Sequence, residues 1–202
     1  MFIYFIMAMC IGCKAQTIIP LYNGPTNVNG AYYKDTFNDL NRFEGTWKYT
    51  NGTTSLTITL QKKEMQNFND GHTQYYEDVL IGAYRYIENG AEKINTLSQL
   101  DIFYPNFFSY PIAGDIIAGP NTAACPECEF NERKVLLSFS DPTRDIPGME
   151  SVMAFIRSDE GNIQKLNLVF YVTSGGYQEE GQSSGFDSYT VPFGEYLLVK
   201  QP

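Results

Sequence analysis

The chain has 202 residues, 43% of them apolar and 18% charged, which is the balance of a folded globular domain and not of a disordered segment. A formal charge of −9 argues against a nucleic-acid partner, since that binding is driven by neutralising phosphates, and against charge-driven docking onto an anionic membrane. The 15 Tyr and 14 Phe favour strands over helices.

Residues 1–12 are apolar and uncharged and lead into Gly12-Cys13-Lys14. Such a run is shorter than the roughly 20 residues of a bilayer span, but it suits the apolar region of a signal peptide. The small Gly12 before Cys13 resembles a bacterial lipoprotein signal. That resemblance implies cleavage before Cys13, acylation of Cys13 and a membrane anchor through the lipid. No acidic residue follows Cys13 directly, so an outer-membrane lipoprotein facing the periplasm is expected. Cleavage after Ala15, releasing a secreted protein, is the alternative.

Residues 13–30 read as a tether carrying the turn pairs Asn23-Gly24 and Asn29-Gly30, with a single domain over 31–202. In 31–43, Tyr33, Phe37, Leu40 and Phe43 recur at spacings of three and four, which predicts a short amphipathic helix. Strands follow. Leu56, Ile58 and Leu60 alternate with Thr57, Thr59 and Gln61. A long run over 73–87 sets Val79, Ile81 and Ala83 against Leu80, Tyr84 and Tyr86. Glu88-Asn89-Gly90 reads as its hairpin turn, with a return strand over 94–100. Further strands are expected over 135–139, 152–156, 166–172 and 189–199. About eight strands and one short helix predict a mainly β, antiparallel barrel, with a β-sandwich as the alternative.

The start of the β region, Phe43-Glu44-Gly45-Thr46-Trp47-Lys48, is similar to the first strand of calycins, the superfamily of lipocalins and fatty-acid-binding proteins. That resemblance implies a barrel opened by Gly45 and closed at one end by Trp47. It also implies a basic side chain from the last strand over the indole, and the basic residue near this C-terminus is Lys200. The layout further resembles a family of uncharacterised short envelope lipoproteins. The shared features are Cys13-Lys14-Ala15-Gln16-Thr17, Gly45-Thr46-Trp47-Lys48 and Tyr75-Tyr76-Glu77-Asp78-Val79-Leu80.

Two stretches read as loops. Residues 101–120 gather Phe103, Tyr104, Phe107, Phe108 and Tyr110 among prolines, which makes them either core packing or a lid over an opening. Residues 174–188 are polar and glycine-rich, a surface hairpin loop. Cys125-Pro126-Glu127-Cys128 is expected to form a local disulfide in an oxidising periplasm. A redox pair and a zinc site stand as alternatives, although the first needs a helix N-terminus and the second two further ligands.

Chemistry-bearing constellations are sparse. His72, the sole histidine, falls in a turn, so no catalytic residue is assigned. Glu77 and Asp78 are adjacent on a strand and therefore point to opposite faces. No metal ligand set and no cofactor motif is found. The expected role is a non-enzymatic binding module that holds a small apolar ligand inside the barrel. The ligand-binding residues stay unassigned. The alternative is an interaction protein that engages an envelope partner through an outer face or loop 174–188.

Overall fold

Period-two alternation on successive strands does what it should: it builds one closed sheet with a dry interior. The structure is a computed structural model that describes residues 16–120, 122–144, 146–175 and 185–202. The leader, Cys10, Cys13, Ala15 and most of loop 174–188 lie outside the described residues. The strands are β1 (Ile18–Pro20), β2 (Tyr32–Lys34), β3 (Gly45–Asn51), β4 (Thr54–Asn69), β5 (Gln74–Glu88), β6 (Ala91–Asn95), β7 (Ile112–Ala118), β8 (Lys134–Phe139), β9 (Glu150–Arg157), β10 (Lys165–Ser174) and β11 (Gly194–Lys200). Eight of them, in the order β5-β4-β3-β11-β10-β9-β8-β7, close through pairing of β7 with β5 into an antiparallel barrel. Closure leaves this part of the sheet without a free edge.

The inward positions are taken by side chains. Trp47, Leu56, Ile58, Leu60, Leu80, Tyr84, Leu137, Phe155, Leu168 and Leu198 form one continuous buried cluster. An aromatic cluster stoppers the barrel at the Phe170 end of β10. Phe139 lies 4.6 Å from Phe170 and 5.3 Å from Tyr189 between ring centroids, and Phe170 lies 4.7 Å from Phe193. Residues 189–193, expected at the start of the last strand, instead cross this end before β11 begins.

Trp47 occupies the other end. The indole is fully buried, and its Nε1–H donates to the Phe43 carbonyl at 2.8 Å. Lys200 from β11 places Nζ 5.2 Å from the ring centroid, and the Arg157 guanidinium lies 5.3 Å from it. Gly45 sits at φ +117°, a backbone conformation that calls for glycine, with the Lys200 side chain passing close by.

The helix expected over 31–43 is corrected to strand β2 and a three-residue 3-10 turn, Leu40–Arg42. The Asp35 carboxylate takes the amides of Asp39 (2.8 Å) and Leu40 (3.0 Å), and Asn38 adopts a positive φ. Together these divert the chain from a helix. Leu40 and Phe43 still plug the barrel, whereas Phe37 is 57% exposed.

Residues 18–34, which overlap the stretch read from the sequence as a tether over 13–30, form an arm beside the barrel. β1 pairs in parallel with β2, and β2 pairs in parallel with the N-terminal part of β5 at Tyr32–Tyr76 and Tyr33–Glu77. Ile19, Ala31 and Tyr33 bury one another there.

Residues 101–120 do not form a lid. Phe107 and Tyr110 pack with Val79, Ile81 and Ala113 on the outer face of β5, and the stretch ends in β7. β5 is thus buried on both faces, which explains its nearly unbroken apolar run.

Candidate functional site

β5 changes its edge partner partway along. It pairs with β2 as far as Glu77 and with β7 from Leu80 to Gly82. At the switch, the β7–β8 register slips between Ala113 and Ile116, which sets Asp115 at an irregularity. An open cleft of about 120 Å³ lies here, lined by Leu21, Asn27, Tyr33, Tyr75, Glu77 and Asp115 among others. The arm supplies the near wall, and the rings of Tyr33 and Tyr75 meet edge-to-face at 5.1 Å. Phe68 stacks behind Tyr75 at 4.7 Å. The Tyr33 hydroxyl is engaged, accepting the Val28 amide at 2.7 Å.

Glu77 is 3% exposed. Burial raises its pKa, and the nearby Asp115 charge and the hydrogen bond between the two carboxyls raise it further, to about 9. Burial, followed by the charges of Glu77 and Asp115, also pushes the Tyr75 hydroxyl up. At neutral pH Glu77 therefore keeps its proton. Among the described residues no lysine or arginine lines the cleft.

A pH dependence follows. Folded Glu77 holds its proton between its ordinary value near 4.5 and about 9, whereas the unfolded chain releases it. This contribution to stability is complete below about 4.5 and is lost as pH rises through 9. Between pH 5 and 9 the Tm is expected to fall by roughly 10–20 °C, and Glu77→Gln should flatten that slope. Thermal melts across this range check it; equal slopes for both proteins would remove the assignment.

Asp78, next in sequence, faces the other way, as strand geometry requires. It accepts the Tyr32 hydroxyl (2.5 Å) and the amides of Asp35 (3.0 Å) and Met65 (3.0 Å). Lys62 Nζ lies 3.9 Å from it, 3.0 Å from Asp35 and 2.8 Å from Asn41 Oδ1. Every partner here belongs to the fold, so this network clamps the arm to β4 and β5.

The other sequence candidates are structural. His72 is exposed in a turn whose Asp70 accepts the amides of His72 and Thr73 at 2.8 and 2.7 Å. Asp141 accepts Thr143 and Thr190 amides at 2.9 and 2.7 Å. Among the described residues no cluster of three or more metal-ligating side chains occurs.

Cys125 and Cys128 are joined in a disulfide with Cα atoms 5.3 Å apart, buried against Ala118. A loop this small restricts the unfolded chain little, so reduction should cost roughly 2 kcal/mol and lower Tm by roughly 4–8 °C. Melts with and without dithiothreitol measure this.

A second cavity, of about 70 Å³, lies beside the plug, lined by Arg42, Arg133 and Arg157. Those cations are occupied by Asp39, Asp159 and backbone carbonyls.

Sequence reasoning missed Glu77 with Asp115 as a pair. The available signal was an adjacent pair of acids in one apolar strand, Tyr75-Tyr76-Glu77-Asp78-Val79-Leu80, and a lone acid in another, Ile112-Ala113-Gly114-Asp115-Ile116-Ile117. No curated protein and no solved structure matches the chain. The model of a family of unknown function, DUF6705, matches residues 1–201, and the chain belongs to that family.

Proposed function

Starting from membership of a family of unknown function, we propose that this protein is a lipid-anchored envelope protein. In this reading it is acylated at Cys13, faces the periplasm, and uses a calycin-like barrel as the scaffold of a non-enzymatic binding module. The leader before Cys13 supports the anchor, and the Cys125–Cys128 disulfide agrees with an oxidising compartment. Trp47 beneath Lys200 supports the calycin likeness.

The expected place for a small apolar ligand was the barrel interior. Buried side chains occupy its inward positions, so the ligand is assigned to the outer cleft, whose Leu21, Tyr33 and Tyr75 supply an apolar wall. The observation that carries the reading is this open cleft at the point where β5 exchanges β2 for β7. Native mass spectrometry of the full chain extracted from membranes tests it. A bound small molecule is expected on the wild type and absent from Tyr75→Ala; an adduct unaffected by that change would overturn it.

A second reading rests on the outer face of β10 and β11, where Val169, Tyr171 and Leu197 are 40%, 37% and 48% exposed beside loop 174–188. This face suits a protein partner in the envelope. Pull-down from membrane extracts with Leu197→Glu and Val169→Glu should lose such a partner.

A further inference from the structure

We propose that the outer cleft binds an organic cation, a primary ammonium group presented on a short apolar chain. This names the ligand class of the site proposed above and rests on that reading.

Three features define the chemistry. First, two carboxyls, Glu77 and Asp115, line the cleft, and among the described residues no Lys or Arg lines it. Second, Glu77 is almost wholly buried yet lines the cleft, and among the described residues no N–H donor bonds its carboxyl; its hydrogen bond is with Asp115. A carboxyl in such a place is normally served by several donors, and an ammonium carries three. Third, the Tyr33 and Tyr75 rings form the side wall, and aromatic faces attract cations within about 6 Å. A neutral apolar ligand would use the rings and leave the carboxyls idle. A calcium ion would use the carboxyls but requires about six to eight oxygen ligands, and the described residues hold no cluster of three acidic or other metal-binding groups.

The size agrees. An apolar cavity of about 150 Å³ holds benzene, so about 120 Å³ takes an ammonium with a few carbons, and the open side lets a longer tail leave the cleft. On binding, the N–H donors of the ammonium replace the proton on Glu77, and that proton passes to solvent, so binding strengthens as pH rises toward 9. The other titratable groups facing the pair are the Tyr33 and Tyr75 hydroxyls. Burial and the carboxyl charges hold Tyr75 protonated across that range.

Isothermal titration of the membrane-extracted protein in detergent, with n-butylammonium chloride as probe, tests this. Titrations at pH 7 in two buffers of different ionisation enthalpy report the released proton. The expected result is saturable binding with proton release. Asp115→Asn and Glu77→Gln should each weaken it about tenfold or more, and Glu77→Gln should abolish the release. Glu77→Gln keeps the shape of the protonated acid, and an unchanged far-ultraviolet spectrum confirms its fold.

Equal binding by butan-1-ol would overturn the cation class while leaving the cleft as a binding site. Calcium binding that is tighter than butylammonium and lost in Asp115→Asn would overturn it in favour of a metal. Undiminished butylammonium binding in both variants would overturn the site itself.

Discussion

Asp78→Ala is expected to destabilise the protein by about 3–5 kcal/mol, with Tm falling by roughly 6–20 °C. The side chain is fully buried and holds four groups at once: the Tyr32 hydroxyl, the amides of Asp35 and Met65, and Lys62. Removing it leaves two N–H donors and a hydroxyl without partners. It also leaves Lys62 facing Asp35 alone, in a place nearly closed to water. Asp78→Asn keeps the shape and an acceptor oxygen and should cost less than half as much. Lys62→Met added to Asp78→Ala should cost less than the sum of the two, because each single change strands the other's charge. Chemical denaturation of Asp78→Ala, Asp78→Asn, Lys62→Met and the double variant measures all of this. A loss under about 0.5 kcal/mol for Asp78→Ala would show that the arm is not clamped here.

Trp47→Ala is expected to cost about 3–5 kcal/mol by emptying the plugged end of the barrel. Three elements meet on this ring: the 3-10 turn through the Nε1–H bond to Phe43, β9 through Arg157 and β11 through Lys200. Trp47→Phe retains most of the apolar bulk but frees the Phe43 carbonyl, so about 1–2 kcal/mol is expected. The wild-type indole, the sole tryptophan, also reports directly. Its emission should be blue-shifted and poorly quenched by acrylamide until the cooperative transition. Emission like that of free tryptophan in the folded protein would place the ring in water and contradict the plug.

Strands whose alternation is local were readable from the sequence. Leu56, Ile58 and Leu60 point inward as their spacing required, and the long run ending near Ile87 is β5. Two segments misled for physical reasons. Leu40 and Phe43 reach the barrel base while Tyr33 packs with Ile19 and Ala31 outside it, so their helical spacing marks no single face, and Asp35 captures the amides a helix would need. β7 was hidden among Pro111, Gly114 and Pro120, and its acid Asp115 broke the apolar pattern. The opposite facing of Glu77 and Asp78 was legible from the two-residue period alone. Their separate roles were not. Which neighbour Glu77 meets depends on the pairing of β5 with β7 across a long loop, and local sequence does not encode that register.

Ligand is expected to engage the outside of a filled barrel. Backbone amide chemical-shift mapping of the ¹⁵N-labelled full chain, titrated with n-butylammonium, tests it most directly. The predicted result is a set of shifts confined to Leu21, Asn27, Tyr33, Tyr75, Glu77 and Asp115 and their immediate neighbours. Shifts centred instead on Ile58, Leu137 and Leu168, deep among the inward-facing side chains, would contradict it.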